Sequence, residues 1–360
     1  MYVDLSELEA LRLGATVLGS GGGGDTYLSY LLAREAVKKH GPVRLLQVHE
    51  LPDDALVIPT AMMGSPMIMN ERVPSGKEAL TSLRTVEKQL GRQALATMPI
   101  EAGGLNAFTA LTAAARGGLP VVDGDGMGRA FPELQMCTFH VYGVAGSPVA
   151  VTSEQGHSVV IESAENPMLE RLARATVAGM GGVGYIAAYP MSGKQVKEAS
   201  VAGTLSLGIR IGQALLSAER KRSHPAGALL DAFAQSTYGQ GMVLLEGRVT
   251  ALERQRARRV TVEGHESYAR QTLEVEFRYE NLIARLDGRV VSTVPELIVF
   301  LHYETGMPLL TEELRPGMRV ICLSVPTPEI TVTEEALAVF GPKAFGYDCE
   351  FRSARKDGWR

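Results

Sequence analysis

The chain has 360 residues, a net charge of −4, 45% hydrophobic and 21% charged residues, the profile of a folded globular protein with room for about two domains. That balance excludes a disordered chain and any global pull toward nucleic acid. Cys137, Cys322 and Cys349 are too few and too widely spaced for a disulfide framework or a zinc pattern, so the expectation is a reducing cytoplasm. No leader sequence and no membrane span are expected: the nearest case to an uncharged apolar span, residues 199–209, is too short to cross a bilayer and contains Ser and Thr.

Taken in chain order, residues 5–15 repeat leucine at helical spacing, and Ser6 with Glu9 reads as a capping box. A loop with Gly19, Gly21, Gly22, Gly23 and Gly24 follows. Such a loop can adopt positive φ and turn its amides toward an anion or a polarised oxygen. Its spacing matches the dinucleotide fingerprint, but that fingerprint has meaning only after a strand. Here a helix precedes, and no Walker lysine follows, so neither NAD nor ATP is expected. Asp25 reads as the cap of the next helix, residues 26–39, with substrate binding as its alternative.

Strands are expected at 43–48, 55–63, 94–100 and 119–122, with helices at 76–89 and 106–116 between them. This alternation predicts a mostly parallel α/β/α sheet over residues 1–165. Further strands are expected at 139–151, 158–163 and 183–189, and a helix at 167–178. Ser192 is expected to start a long helix reaching about residue 218. Its interior carries one charge, Arg210, which places it between domains or at a subunit contact, and a homo-oligomer is expected. From residue 241 the pattern is β-rich, with a hairpin turn at Leu286-Asp287-Gly288-Arg289. Residues 166–360 are therefore expected to form a second domain, helical first and β-rich after. Arg254, Arg256, Arg258 and Arg259 read as a solvated strand face or loop; no aromatic residues interleave them as a nucleic-acid surface would require. Trp359 falls in a charged tail.

Open α/β sheets bind ligands beyond the carboxyl ends of their strands. Glu101 and Asn106 follow the third expected strand; Asp123, Asp125 and Arg129 follow the fourth. Carboxylates on glycine-rich loops in such places serve as acid, base or metal ligand. Each also has a structural reading: Asp-Gly turns for Asp123 and Asp125, a helix N-terminal acid for Glu101, a cap for Asn106, an ion pair with Glu133 for Arg129. Cys137, with His140 close in sequence, is a candidate nucleophile set against the commoner buried, inert thiol. No histidine spacing marks a metal site, which leaves a divalent metal open.

Taken together, Leu18–Asp25 as LGSGGGGD, Glu101–Asn106 as EAGGLN and residues 123–136 as DGDGMGRAFPELQM resemble the S-methyl thiohydantoin desulfurase-like family, often found beside hydantoinase genes. Matching pieces continue at residues 280–284, 294–298 and 341–348, so the resemblance covers nearly the whole chain. Glu296 departs from it, standing where the family piece is expected to hold Asp. The resemblance implies an N-terminal α/β domain, a β-rich C-terminal domain, and removal of the sulfur substituent from a thiohydantoin-like ring to leave a hydantoin. In that chemistry Asp123 or Asp125 would be the base and Glu101 the acid or a second base. Asn106 and the amides of Gly21, Gly22, Gly23 and Gly24 would orient the ring, and Arg129 would meet an acidic substrate side chain. The partner expected is a small heterocyclic substrate, with a hydantoinase as a further associate. The alternatives are a metal-dependent cyclic amidohydrolase and a non-catalytic hydantoinase partner.

Overall fold

Residues 1–255 and 258–354 are described in a computed structural model. Arg256, Ala257 and Trp359 lie outside the described residues. Strand β1 (Tyr2–Val3) leads into helix α1 (Leu5–Leu18). Asp4 Oδ1 accepts from the Leu5 amide and Glu7 Oε2 from the Asp4 amide, so the capping box is Asp4 with Glu7, two residues before the expected Ser6–Glu9 pair. The alternation then runs through α2 (Tyr27–His40), β2 (Val43–Gln47), β3 (Leu56–Gly64), α3 (Pro66–Glu71), α4 (Glu78–Leu90), β4 (Ala96–Pro99), α5 (Asn106–Gly117) and β5 (Val121–Asp125). After it come α6 (Thr138–Val141), β6 (Val149–Thr152), β7 (Ser158–Ile161), α7 (Asn166–Gly179), β8 (Val183–Ala187), β9 (Met191–Ser192), α8 (Gly193–Ala199), β10 (Val201–Ala202), α9 (Thr204–Lys221) and α10 (Pro225–Ala234).

These strands form one sheet in the order β1-β2-β5-β4-β3-β8-β6-β7, with β9 on β3 and β10 on β5. Its centre, β2-β5-β4-β3, is parallel. The strands flanking that centre are antiparallel, so the sheet is mixed. Eight successive residues of β3, Leu56 to Met63, are buried, the pattern of a strand covered by helices on both faces. Strands β8 to β10 come after residue 165 in the chain, yet they complete this first sheet.

Two expected elements are rearranged. The strand expected over 139–151 is α6 followed by β6. The Thr138 amide and Oγ1 both bond Gly126 O, and Oγ1 also bonds Ala199 O, which anchors a helical turn there. The long helix from Ser192 is split into α8 and α9, because Val201 and Ala202 pair with Asp125 and Gly124 of β5. Its apolar interior is buried inside the chain, where Leu205, Leu207, Ile209 and Ile211 share a core with α1 and α10. That stretch therefore carries no argument for a subunit contact.

Helices α1 and α9 cross at backbone distance. A Cβ on Gly14 would lie 1.8 Å from Gly208 O, and one on Gly212 would lie 1.7 Å from Ala10 O. Gly212→Val is expected to force the helices apart and to lower stability by roughly 1–3 kcal/mol or more, the cost of overpacking; the midpoint of urea unfolding reads it directly.

The second sheet is antiparallel throughout: β11 (Met242–Glu253), β12 (Arg259–Gly264), β13 (Thr272–Phe277), β14 (Asn281–Leu286), β15 (Arg289–Thr293), β16 (Leu297–His302), β17 (Pro308–Leu309) and β18 (Arg319–Val325). Its order is β15-β14-β13-β12-β11-β18-β16-β17. Burial alternates along β13 as a half-buried strand requires. Asp287 and Gly288 both take positive φ in the expected hairpin turn. Helix α11 (Glu334–Phe340) follows. Glu296, just before β16, accepts from Ser292 Oγ, Ser324 Oγ and the Ala354 amide and bonds Ser353 Oγ. The carboxylate thus ties the C-terminal segment to the second sheet, and its longer side chain has a full set of partners. Among the described residues no helix is long and apolar enough to cross a membrane.

Candidate functional site

Beyond the carboxyl ends of β3, β4 and β5 lies a cleft of about 670 Å³, the place a parallel sheet offers a ligand. The first half of the chain lines it with Gly21, Gly22, Gly23 and Gly24, with residues 61–64 at the end of β3, with Glu101, Leu105 and Asn106, and with Met127 and Phe131. The second half adds Arg254, Arg258, residues 277–280 and residues 310–312. The cleft is therefore shared between the two sheets.

The glycine loop is pinned from both sides. Gly23 O accepts from the Leu105 amide and Leu18 O from the Ala130 amide, while Ala15 O takes the Gly104 amide. From the second sheet, the Asn281 amide bonds Ser20 O, the Thr311 amide bonds Gly21 O, and the Ile298 amide bonds Ser20 Oγ. The amides of Gly23 and Gly24 make no hydrogen bond to another described residue, and both glycines line the cleft. They are donors free to meet a ligand oxygen or nitrogen.

Two buried carboxyls line this cleft. Glu101 is 7% exposed. Burial pushes its carboxyl well above the usual range, and the negative fields of Glu280 and Asp125 push the same way, against the Phe131 amide and the Asn106 side chain. Glu280 is 4% exposed, and its Oε2 has no hydrogen-bond partner among the described residues. Burial raises it too, opposed by the nearby Arg129 guanidinium. Glu280 was not singled out from sequence as a site residue. Its only signal there is its place at the head of the matching piece Glu280-Asn281-Leu282.

Asn106 lines the cleft, but its amide is engaged: Oδ1 accepts from the Met62 amide at 2.6 Å and Nδ2 donates to Met62 O at 3.4 Å. It fixes the end of β3 against α5. Arg129 does not line the cleft. It is fully buried and donates to Glu296 O at 2.6 Å and Asn281 O at 2.9 Å. It makes no pair with Glu133; its charge faces Glu280 and Glu101, which hold the guanidinium protonated although burial lowers it to about 10. A substrate carboxylate cannot reach it there. The arginines that do line the cleft are Arg174, Arg254, Arg258 and Arg278.

Asp123 and Asp125 also lie off the cleft, and both are fully buried. Asp123 Oδ1 accepts from the amides of Leu205 and Ser206, and Oδ2 from Gln47 Nε2; it caps α9. Asp125 accepts from the amides of Ala102 and Gly128 and so ties together the loops after β4 and β5. Neither carboxylate has an open path to a ligand, and both are accounted for by the backbone donors they satisfy. Asp25 is exposed and outside the cleft, with Oδ1 accepting from the Tyr27 amide at the start of α2. Cys137 is buried, its thiol bonded to Leu134 O and pushed up to about 11 by burial, which removes the thiolate a nucleophile needs. Among the described residues no group of three or more His, Cys, Asp or Glu side chains gathers in a way that could hold a metal ion.

Burial drives the Asp125 carboxyl from its ordinary 3.8 to about 7 against the pull of its amide donors. Between those values the folded chain holds a proton that the unfolded chain has released, so stability falls as pH rises. That contribution is complete below about pH 4 and gone above about pH 7. Glu101, Glu280 and Glu296 are raised as well and act in the same direction. Thermal unfolding is expected at a higher temperature at pH 5.5 than at pH 8, and Asp125→Asn should flatten that dependence without abolishing it.

The arrangement offers a carboxyl whose surroundings favour its protonated form, a second buried carboxyl, and unpaired backbone donors in one cleft. That is equipment for proton transfer to and from a polar ring, with stabilisation of a developing charge. A crystal structure of a protein from Chromobacterium violaceum superimposes with a TM-score of 0.83 at 26% sequence identity, covering 98% of this chain and 100% of that one. No curated protein matches the sequence. The S-Me-THD-like N-terminal domain model matches residues 6–163 and the S-Me-THD-like C-terminal domain model matches residues 164–354, so the chain belongs to the S-methyl thiohydantoin desulfurase-like family.

Proposed function

We propose that the protein hydrolyses the carbon–sulfur bond of a cyclic thioimidate of the S-alkyl thiohydantoin class, giving a hydantoin and a thiol. The observation that carries this reading is Glu101, a buried carboxyl whose surroundings favour its protonated form, lining one cleft with Gly23 and Gly24 in a desulfurase-like family member. The substrate carbon is amidine-like and bears a sulfur that must leave with a proton. Water adds its oxygen to that carbon, the carbon–sulfur bond breaks, and the ring regains a carbonyl and an N–H. A neutral acid beside the departing sulfur supplies the proton. The loop amides meet the negative charge that builds on the ring during addition.

Purified protein incubated with hydantoins, 2-thiohydantoins and their S-methyl forms, followed by mass spectrometry, tests this. Release of methanethiol with the ring intact is expected from the S-methyl forms. Ring opening of hydantoin without thiol release would replace this reading with that of a cyclic amidohydrolase.

A further inference from the structure

Resting on the desulfurase reading, we infer that Glu280 is the base of the reaction and Glu101 its acid, a split carboxyl pair contributed by the two halves of the chain. Glu280 Oε2 is buried and lines the cleft without a hydrogen-bond partner. A carboxylate oxygen in that condition is rare in a folded protein, and this one belongs to a side chain on the cleft lining. The other oxygen, Oε1, lies 2.6 Å from where a Cβ on Gly22 would stand. The bare glycine is what admits the carboxyl against the loop, next to the free amides of Gly23 and Gly24.

Charge divides the roles. Among the carboxyls acting on Arg129, Glu280 acts most strongly and Glu101 next. Arg129 in turn favours the ionised form of Glu280. Glu101 interacts with that guanidinium less strongly than Glu280 does, and it faces Glu280 and Asp125, both of which favour its protonated form against the Phe131 amide and the Asn106 side chain. Two carboxyls in one site whose surroundings drive them apart divide into base and acid. Around the pair stand Arg129 and Asp125 behind the cleft wall, and Arg174, Arg254, Arg258, Arg278, Glu133 and Glu312 on the cleft lining.

The step balances. Glu280 takes one proton from water as the water oxygen bonds the ring carbon, and the carbon–nitrogen π pair moves to nitrogen. That pair returns, the carbon–sulfur bond breaks, and Glu101 gives its proton to the departing sulfur. The hydroxylated ring tautomerises to carbonyl and N–H. Glu280 now holds a proton and Glu101 a charge, and one proton passing between them restores the start.

The test combines kinetics with direct titration. With an S-methyl thiohydantoin, wild-type kcat/KM is expected to be bell-shaped in pH: it rises as the base ionises and falls as the acid does, with apparent values belonging to the pair. Glu280→Gln should lower kcat roughly 10²–10⁴-fold and remove the acidic limb while the alkaline limb stays. Glu280→Asp should keep the limb at reduced rate, which guards against a folding defect. Activity of Glu280→Gln within threefold of wild type, or an unchanged acidic limb, overturns the assignment. In parallel, NMR of protein carrying ¹³C-carboxyl-labelled glutamate, with both Gln variants for assignment, should show Glu280 ionised and Glu101 protonated at neutral pH. If the wild type releases no thiol, the desulfurase reading fails, and the titration decides the pair alone: one proton on Glu101 supports it, and two ionised carboxyls overturn it.

Discussion

Glu101→Gln is expected to lower turnover by roughly 10²–10⁴-fold, the usual contribution of a general acid, while the protein melts within a few degrees of its parent. The contrast follows from the state of the carboxyl. Burial and the fields of Glu280 and Asp125 favour the protonated form of Glu101, and in that form an amide of the same shape replaces an uncharged acid and removes no ion pair. What is lost is a proton that can leave. Steady-state kinetics beside thermal unfolding separates the two effects. A parallel fall in activity and melting temperature would show that Glu101 serves the fold and not the chemistry.

Arg129→Met is expected to be the most destabilising single change in the molecule. The guanidinium is fully buried and reaches across the joint between the sheets to the carbonyls of Asn281 and Glu296. It also lies 5.3 Å from the centre of the Phe131 ring. Methionine fills much of the volume but leaves those carbonyls unpaired and Glu280 without its cation. Breaking a buried charge cluster from one side costs about 3–5 kcal/mol. Urea unfolding should show a midpoint shift of that size with an unchanged slope. Adding Glu280→Gln should recover part of it, because the unbalanced charge is then gone. Equal stabilities of the single and double variants would show that the carbonyl bonds alone account for the loss.

The α/β half was readable because its elements are local. Buried strands are continuous apolar runs, and Gly118, in the left-handed region, stops α5 where Gly117-Gly118 predicted an end. The candidate site was readable in part for the same reason: a glycine run and a carboxyl at a strand end are marks of a ligand cleft, and both Glu101 and residues 21–24 line it. The two aspartates show the limit of that reasoning. A carboxylate after a strand can face the cleft or a neighbouring backbone, and the donors that claim Asp123 come from Leu205 and Ser206, far along the chain. Glu280 shows the converse. It enters from the second sheet beside a cation, Arg129, that belongs to the first, and no local pattern joins residues so distant. The same non-local pairing, β10 on β5, split the helix expected after Ser192.

Five glycines within six positions ordinarily spell a mobile chain. Here each of Gly19, Gly21, Gly22, Gly23 and Gly24 has a heavy atom closer than 3.0 Å to where its Cβ would be, and residues from both sheets bond the same stretch. The glycines are bare because there is no room, and the backbone is clamped. Fixing a residue costs roughly 1–2 kcal/mol of conformational entropy, and at this loop that loss is met when the chain folds. A ligand arriving at Gly23 and Gly24 finds its donors already placed, so none of its binding energy is diverted to ordering them. The same clamp makes the recognition surface and the seam between the sheets one object: a change that loosens the seam should weaken binding before it unfolds the protein.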